Sequence, residues 1–80
     1  MELKEVSTTT YNVKSSWEVG RKILKLVKGK YHPVSAFRTS FNEVVFTVEG
    51  NDNAKKEEIH GLLIKNGAKE VDMVSGITTV

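Results

Sequence analysis

Hydrophobic and polar residues follow two different patterns along the chain, and the changes between them predict six elements. Four segments are rich in β-branched residues or alternate between apolar and polar positions, as strands do: residues 4–13, 34–39, 44–49 and 69–74. Two others repeat their apolar residues with the period of an α-helix, namely residues 16–28 and a segment that follows Asp52. The predicted order is strand, helix, strand, strand, helix, strand.

The first helix has the most complete set of sequence signals. Ser15 can cap the first free amides, and Glu18, three residues later, can reach back to the amide of Ser15. Apolar side chains share one half of this helix: Trp17, Val19, Ile23, Leu24, Leu26 and Val27. The other half carries Glu18, Arg21, Lys22, Lys25 and Lys28. Gly29 is expected to end the helix in the left-handed conformation, and Pro33 prevents it from resuming.

The two central strands are predicted to form a hairpin around the polar break at residues 40–43. Alternation in the second of these strands predicts that Val44, Phe46 and Val48 point into the core. The opposite face of the sheet would then show Val45, Thr47 and Glu49, joined by Glu70 and Asp72. That face is predicted to be acidic and to lack aromatic rings, so it is not expected to bind RNA.

The second helix is predicted to begin with a cap at Asp52 or Asn53 and to end at Asn66-Gly67. Its core stripe consists of Ile59, Leu62 and Leu63. Gly61 falls on or near the inner edge of this helix, where a missing side chain would let the helix approach the sheet closely.

In the last strand, Val71 and Met73 are expected to point inward, while Glu70 and Asp72 point outward. Gly76 is expected to break the strand before the short tail at residues 77–80. That tail, or the long first strand, could add to a sheet edge within the molecule or across a dimer.

The order of the elements predicts the fold class. Each β-α-β half requires a right-handed crossover, which places both helices on one face of the sheet. The sequence therefore predicts an α+β protein with a ferredoxin-like βαββαβ plait, in which two helices cover one face of a four-stranded antiparallel sheet. One domain is expected over residues 1–80. Many unrelated functions share this topology, so it restricts the shape more than the function.

Composition narrows the setting in which the chain would work. Its 80 residues include no cysteine, which excludes disulfides, thiolate metal sites and cysteine nucleophiles. The first residues are charged, unlike a secretory leader, and the apolar runs are too short for a transmembrane helix. A reducing, cytoplasmic location is therefore expected. The net charge is +2, but residues 1–41 hold eight Lys and Arg against three acids, whereas residues 42–80 hold four against seven.

His32 and His60 are the only candidates for acid–base chemistry near neutral pH. Neither has an aspartate beside it. Glu57 and His60 have the spacing of a metal-binding helix, but two helices cannot supply the further carboxylates that such sites need. No serine lies in a nucleophile elbow, and the six glycines are isolated, so no phosphate-binding loop is present. We expect no enzymatic activity, no cofactor and no metal.

The remaining candidates are contact residues. They comprise the basic half of the first helix and two rings outside the helices: Arg21, Lys22, Lys25, Lys28, Tyr31 and Phe41. They favour a small non-enzymatic interaction or regulatory module that binds another protein or itself, as a dimer or small oligomer. The alternative is nucleic-acid binding, to RNA in particular, through phosphate contacts to the same helix. The same charges also fit a solvated helix face without a partner, and no membrane partner is expected.

Overall fold

A computed structural model describes residues 3–79 of the chain. The elements along it are β1 (Glu5–Lys14), α1 (Trp17–Lys30), β2 (Ser35–Ser40), β3 (Glu43–Glu49), α2 (Asn53–Lys65) and β4 (Glu70–Thr79). The strands form one sheet in the order β2-β3-β1-β4, and every neighbouring pair is antiparallel. This arrangement confirms the predicted ferredoxin-like plait. Neither helix is long and apolar enough to cross a membrane within the described part of the chain.

The core lies between the helices and the two central strands. The inward set predicted for β3 is confirmed, because Val44, Phe46 and Val48 are all buried. The ring of Tyr11 on β1 stacks on that of Phe46, with 4.8 Å between the ring centres. The helices complete the same cluster with buried side chains: Ile23 and Val27 from α1, and Ile59 and Leu63 from α2. Leu62 is half-buried.

The ends of α1 differ from the prediction. Ser16, rather than Ser15, caps the helix, and its hydroxyl oxygen accepts a hydrogen bond of 3.3 Å from the Val19 amide. The helix also continues through Gly29 to Lys30, and the left-handed conformation occurs later, at His32, where φ is +48°. Because Pro33 allows no helix to continue in any case, the chain did not need to stop at the glycine. The N-cap of α2 is Asp52, one of the two predicted candidates.

Close approach between helix and sheet occurs at Gly20, not at Gly61 as predicted. Gly61 is exposed and has open space where a side chain would begin. A Cβ atom on Gly20, in contrast, would lie 3.2 Å from the Val44 side chain and equally close to Arg38 and Ser15. Thus α1 is the helix whose missing side chain lets it approach the sheet.

The prediction that Gly76 breaks the last strand is wrong. Instead β4 pairs with β1 in unbroken register from Glu70 opposite Lys14 to Thr79 opposite Glu5. The end of the chain thus adds to the sheet within the molecule, because β1 offers a long template for it; residue 80 lies outside the described residues. Val71 packs against the core as expected, but Met73 is 42% exposed.

The open face of the sheet, opposite the helices, does carry a ring, contrary to the prediction. Phe37 lies opposite Val45 in the β2–β3 register and is 51% exposed. The alternation along β2 explains this position, because Ala36 and Arg38 lie opposite the inward residues of β3 and Phe37 between them faces outward. Acidic residues still flank this ring on the same face, since Glu43 and Glu49 share the parity of Val45 on β3.

Candidate interaction surface

The basic residues predicted for α1 lie together on its exposed side. Arg21, Lys22, Lys25 and Lys28 are all exposed. The only ion pair within residues 3–79 joins Lys14 and Glu70 at 3.7 Å, so none of these four cations is paired with an acid of the described chain. The helix therefore presents uncompensated positive charge to its surroundings.

Trp17 stands at the start of this surface rather than in the core. The helical pattern placed it with the buried residues, but its side chain is 43% exposed. The reason lies in the sheet beneath the first turn of α1, where the Arg38 side chain approaches Gly20. With this space filled, the indole lies on the outside, and its ring stacks on that of Phe41 with 5.4 Å between the centres.

Arg38 holds Trp17 and Phe41 together, and we call these three residues the tryptophan–arginine cluster. Its guanidinium carbon lies 3.7 Å from the centre of a Trp17 ring, a close cation–π contact. The same group donates hydrogen bonds to two backbone carbonyls, to Trp17 at 3.1 Å and to Phe41 at 3.0 Å. One side chain of β2 thereby links the tip of the β2–β3 hairpin to the start of α1.

A shallow groove runs from this cluster along α1, and we call it the α1 groove. Its volume is about 460 Å³, and it is lined by two apolar and four basic side chains: Trp17, Leu24, Arg21, Lys25, Lys28 and Arg38. Leu24 is half-buried and packs against the core, so its position is fixed. No acidic residue lines this groove. The α1 groove therefore has an apolar base and a rim of positively charged side chains.

The other predicted contact residues are placed differently. Lys22 lies on the far side of Lys25, in a second depression with Leu26, Gly29 and Lys30. Phe41, at the tip of the hairpin, is 74% exposed, and only part of its ring contacts Trp17. The structure therefore brings Arg21, Lys25, Lys28 and Phe41 together around Trp17 and the α1 groove, and Lys22 lies beside them.

Tyr31 lies apart from this groove. Its ring packs against the core, and the Lys30 ammonium group lies 5.5 Å from the ring centre. Its hydroxyl oxygen is buried, and the Lys30 and Glu58 side chains act on it. Burial, followed by the Glu58 carboxylate, raises the pKa of this hydroxyl, and the Lys30 ammonium opposes that effect.

The histidines are not gathered into a polar centre. His60 and Glu57 line a groove between α2 and Met73 of β4. Residues 3–79 contain no group of three or more His, Cys, Asp or Glu that could hold a metal ion.

Sequence reasoning missed Arg38, which organises the surface. The available signal was that Arg38 is the only cation of the central hairpin between residues 34 and 49. It also follows Ala36 by two residues, on the face that β2 turns towards the helices. A cation on the inner face of an edge strand needs nearby acceptors, and the carbonyls of Phe41 at the hairpin tip and of Trp17 in the first turn of α1 supply them.

Comparison with known proteins supports the fold. No protein-family model and no curated protein matches the chain, whereas solved structures do. The structure of PH0061 aligns with a TM-score of 0.58 at 9% identity, over 88% of this chain and 51% of that one. The structure of LarC2, the C-terminal domain of a cyclometallase involved in the synthesis of the NPN cofactor of lactate racemase, aligns with a TM-score of 0.59 at 14% identity, over 99% of this chain and 59% of that one.

A domain of unknown function, DUF77, from Bacillus cereus aligns with a TM-score of 0.45 at 14% identity, over 95% of this chain and 76% of that one. The chain spans between half and three-fifths of the length of the PH0061 and LarC2 structures. At these identities the chain shares with PH0061 and LarC2 a small ferredoxin-like α/β fold, and the similarity extends no further.

Proposed function

We propose that this protein is a non-enzymatic interaction module that binds an acidic segment of another protein in the α1 groove. The observation that carries the proposal is the composition of the groove, in which four cations without an acidic partner among residues 3–79 surround the Trp17 ring and Leu24. Such a surface complements a segment that combines carboxylates with an apolar side chain.

The chemistry of the groove resembles that of the energetic centres of protein interfaces. Tryptophan and arginine are enriched among the residues that contribute most to binding, and they act best where neighbouring contacts exclude water. Trp17 is already held by Arg38 and Phe41, so little side-chain entropy would be lost when a partner covers it. The surrounding lysines would increase the association rate for an acidic partner, in a salt-dependent manner.

The test uses Trp17 as its own reporter, because it is the only tryptophan of the chain. The probe is a synthetic peptide of alternating Glu and Leu residues, compared with a Lys and Leu peptide of the same length. We expect the Glu peptide alone to change the tryptophan fluorescence, in a saturable way that weakens as salt is raised.

Charge reversal separates the groove from general electrostatics. The double variant R21E/K25E should weaken binding of the Glu peptide by at least tenfold. Its matched control is K65E/K69E, which makes the same change in net charge at two exposed lysines outside α1. Equal weakening in both variants, or no binding of the Glu peptide by the wild-type protein at about 50 mM salt, would contradict the proposal.

Nucleic-acid binding is the second candidate, and the observation in its favour is the exposed ring of Phe41 beside the α1 groove. Basic grooves with free aromatic faces bind single strands by stacking and phosphate contacts. The Trp17 face in contact with Arg38 is already covered, which leaves Phe41 as the ring available for a base and favours the protein partner. A labelled single-stranded RNA of mixed sequence tests this candidate. Loss of its binding in K22E/K25E, with a steep salt dependence, would support it, and no binding at about 50 mM salt would exclude it.

A further inference from the structure

The two edges of the sheet are built differently. Strand β2 has six residues, follows Pro33, and shows a shift of register between Arg38 and Ser40. These features are among those that prevent an edge strand from pairing with another chain. Strand β4 has ten residues, an unbroken register with β1, and neither proline nor lysine. The β4 edge has none of these three features, and its charged residues, Glu70 and Asp72, are confined to its first three positions.

The hydrogen bonds of β1 determine which backbone groups of β4 point away from the sheet. In an antiparallel sheet the N–H and C=O of one residue point to the same neighbouring strand, and successive residues alternate between neighbours. The Gly50 amide donates to the Ser7 carbonyl, and the Ser15 amide donates to the Asn42 carbonyl. Odd-numbered residues of β1 therefore bond on the β3 side, and even-numbered ones bond to β4.

Even-numbered residues of β1 lie opposite even-numbered residues of β4, such as Thr8 opposite Gly76 and Thr10 opposite Val74. The odd-numbered residues of β4 are left with their N–H and C=O groups directed away from the sheet. They are Val71, Met73, Ser75, Ile77 and Thr79. No described strand pairs with this side of β4.

Exposed apolar side chains accompany these backbone groups. On β4, Met73 is 42% exposed, Val74 59% and Ile77 72%. Met73 and Ile77 share the parity of Val71 and therefore lie on the helix side of the sheet. Met73 borders a groove along α2, where Gly61 offers no side chain to fill the space. The edge thus offers hydrogen bonds and an apolar surface together.

We propose that β4 pairs antiparallel with β4 of a second copy of this chain, around a two-fold axis at Ser75. The two four-stranded sheets would join into one continuous sheet with all helices on the same face. In this register Met73 lies opposite Ile77 of the second copy, and both fill the groove beside α2. Val74 lies opposite Gly76 on the other face, and every odd-numbered residue from 71 to 79 gains hydrogen bonds.

Charge favours a second copy in this register. Both acids of β4, Glu70 and Asp72, lie in its first three residues, and the end of the strand is uncharged. Pairing around Ser75 places Asp72 opposite residue 78, a threonine, so each acidic end meets an uncharged end. A two-fold axis at Asp72 would instead bring like charges together, which is destabilising. The α1 groove lies near the opposite edge of the sheet, so this inference does not rest on the function proposed above.

Sedimentation velocity over a range of concentrations tests the assembly. We expect the wild-type protein to sediment with twice the 8.9 kDa mass of one chain, and Ile77→Lys and Ser75→Pro to return it to 8.9 kDa. Proline at Ser75 removes an outward N–H and no hydrogen bond to β1, and circular dichroism shows whether the variant is folded. Ile77→Lys places a charge at an exposed site that the fold itself does not need. The matched control is Ser35→Lys on β2, which should remain dimeric.

A single cysteine tests the register. Because the chain has no cysteine, Ser75→Cys introduces one thiol, which the two-fold axis places opposite its own counterpart. Hydrogen-bonded antiparallel pairs have Cα atoms about 5.5 Å apart, within the range that a disulfide spans. Mild oxidation should therefore link Ser75→Cys into covalent dimers much faster than Ser35→Cys.

Three results would overturn the proposal: a monomer at every concentration, a dimer that survives both β4 substitutions, or equal cross-linking at positions 35 and 75. A monomer that instead incorporates an extended peptide of another protein along β4 would assign the edge to a different partner.

Discussion

At the scale of single residues, Arg38 connects parts of the chain that are distant in sequence. Its guanidinium bonds to carbonyls at Trp17 and Phe41 while it stacks on the indole ring. A planar group with several fixed donors can make all three contacts at once, whereas an ammonium group cannot.

Arg38→Lys should therefore destabilise the protein although it preserves the charge. We expect the free energy of unfolding to decrease by about 1–2 kcal/mol, measured by urea denaturation. The Trp17 emission should change in the folded state, because the cation leaves the ring face. Arg21→Lys serves as the control and should lie within about 0.5 kcal/mol of wild type. An equal effect of the two substitutions would contradict the role assigned to Arg38.

Sequence patterns predicted burial correctly for residues whose environment depends only on their own helix or strand. Val44, Phe46 and Val48 alternate within one strand, and their burial follows from that strand alone. Trp17 and Arg38 do not follow this logic, because each is placed by the other across a separation of 21 residues. The helical pattern indicates that Trp17 is apolar, but it contains no information about Arg38, which occupies the space beneath the indole. The basic residues of the α1 groove were therefore predicted from the sequence, whereas its apolar base was not.

At the scale of elements, two glycines differ from the prediction, because neither of them ends its helix or strand. Gly29 continues α1, and Gly76 continues β4, because tertiary pairing and packing override the local preference of glycine. The N-caps of both helices were predicted to within one residue, whereas the end of α1 was not. What could not be predicted was the length of β4, since its partner β1 lies at the far end of the sequence.

Gly29→Ala tests whether this glycine is helical. Gly29 is exposed, lies within α1 and has open space around its missing side chain. Alanine there should increase the free energy of unfolding by about 0.5–1 kcal/mol, because it restricts the unfolded chain without strain. Thermal and urea denaturation would measure the change. A loss of stability would instead indicate a left-handed helix end at this residue.

Gly67→Ala provides the contrast to this substitution. Gly67 has a φ of +105°, and a Cβ atom there would lie 3.2 Å from the Val19 side chain. The substitution should lower the free energy of unfolding by about 1–2 kcal/mol. The two alanines therefore change stability in opposite directions.

At the scale of the whole molecule, we expect the stability of the fold to decrease at alkaline pH, because two tyrosine hydroxyls are buried. Burial raises the pKa of the Tyr11 hydroxyl, and neighbouring Tyr31 acts in the same direction. The folded state therefore holds its protons to higher pH than the unfolded state, which releases them around the ordinary value of 10.0. Stability is fully present below that value and decreases as pH rises above it.

Urea denaturation at pH 7, 9, 10 and 11 would measure this dependence. The double variant Tyr11→Phe/Tyr31→Phe cannot ionise at these positions, so its free energy of unfolding should decrease less between pH 9 and pH 11 than that of the wild type. Parallel curves for the two proteins would show that other groups, such as lysines, cause the alkaline loss.

The pairing of β1 with β4 also has a consequence for how the protein is made. The first and last described strands are neighbours in the sheet, and β1 lies between β3 and β4. During synthesis β1, both helices and the hairpin can emerge and collapse while one edge of β1 still has no partner. Contacts between the ends of a chain form slowly, because a long loop must close before they contribute. Until residues 70–79 emerge, the nascent chain carries an open central strand, and this is the interval in which it depends most on protection from aggregation.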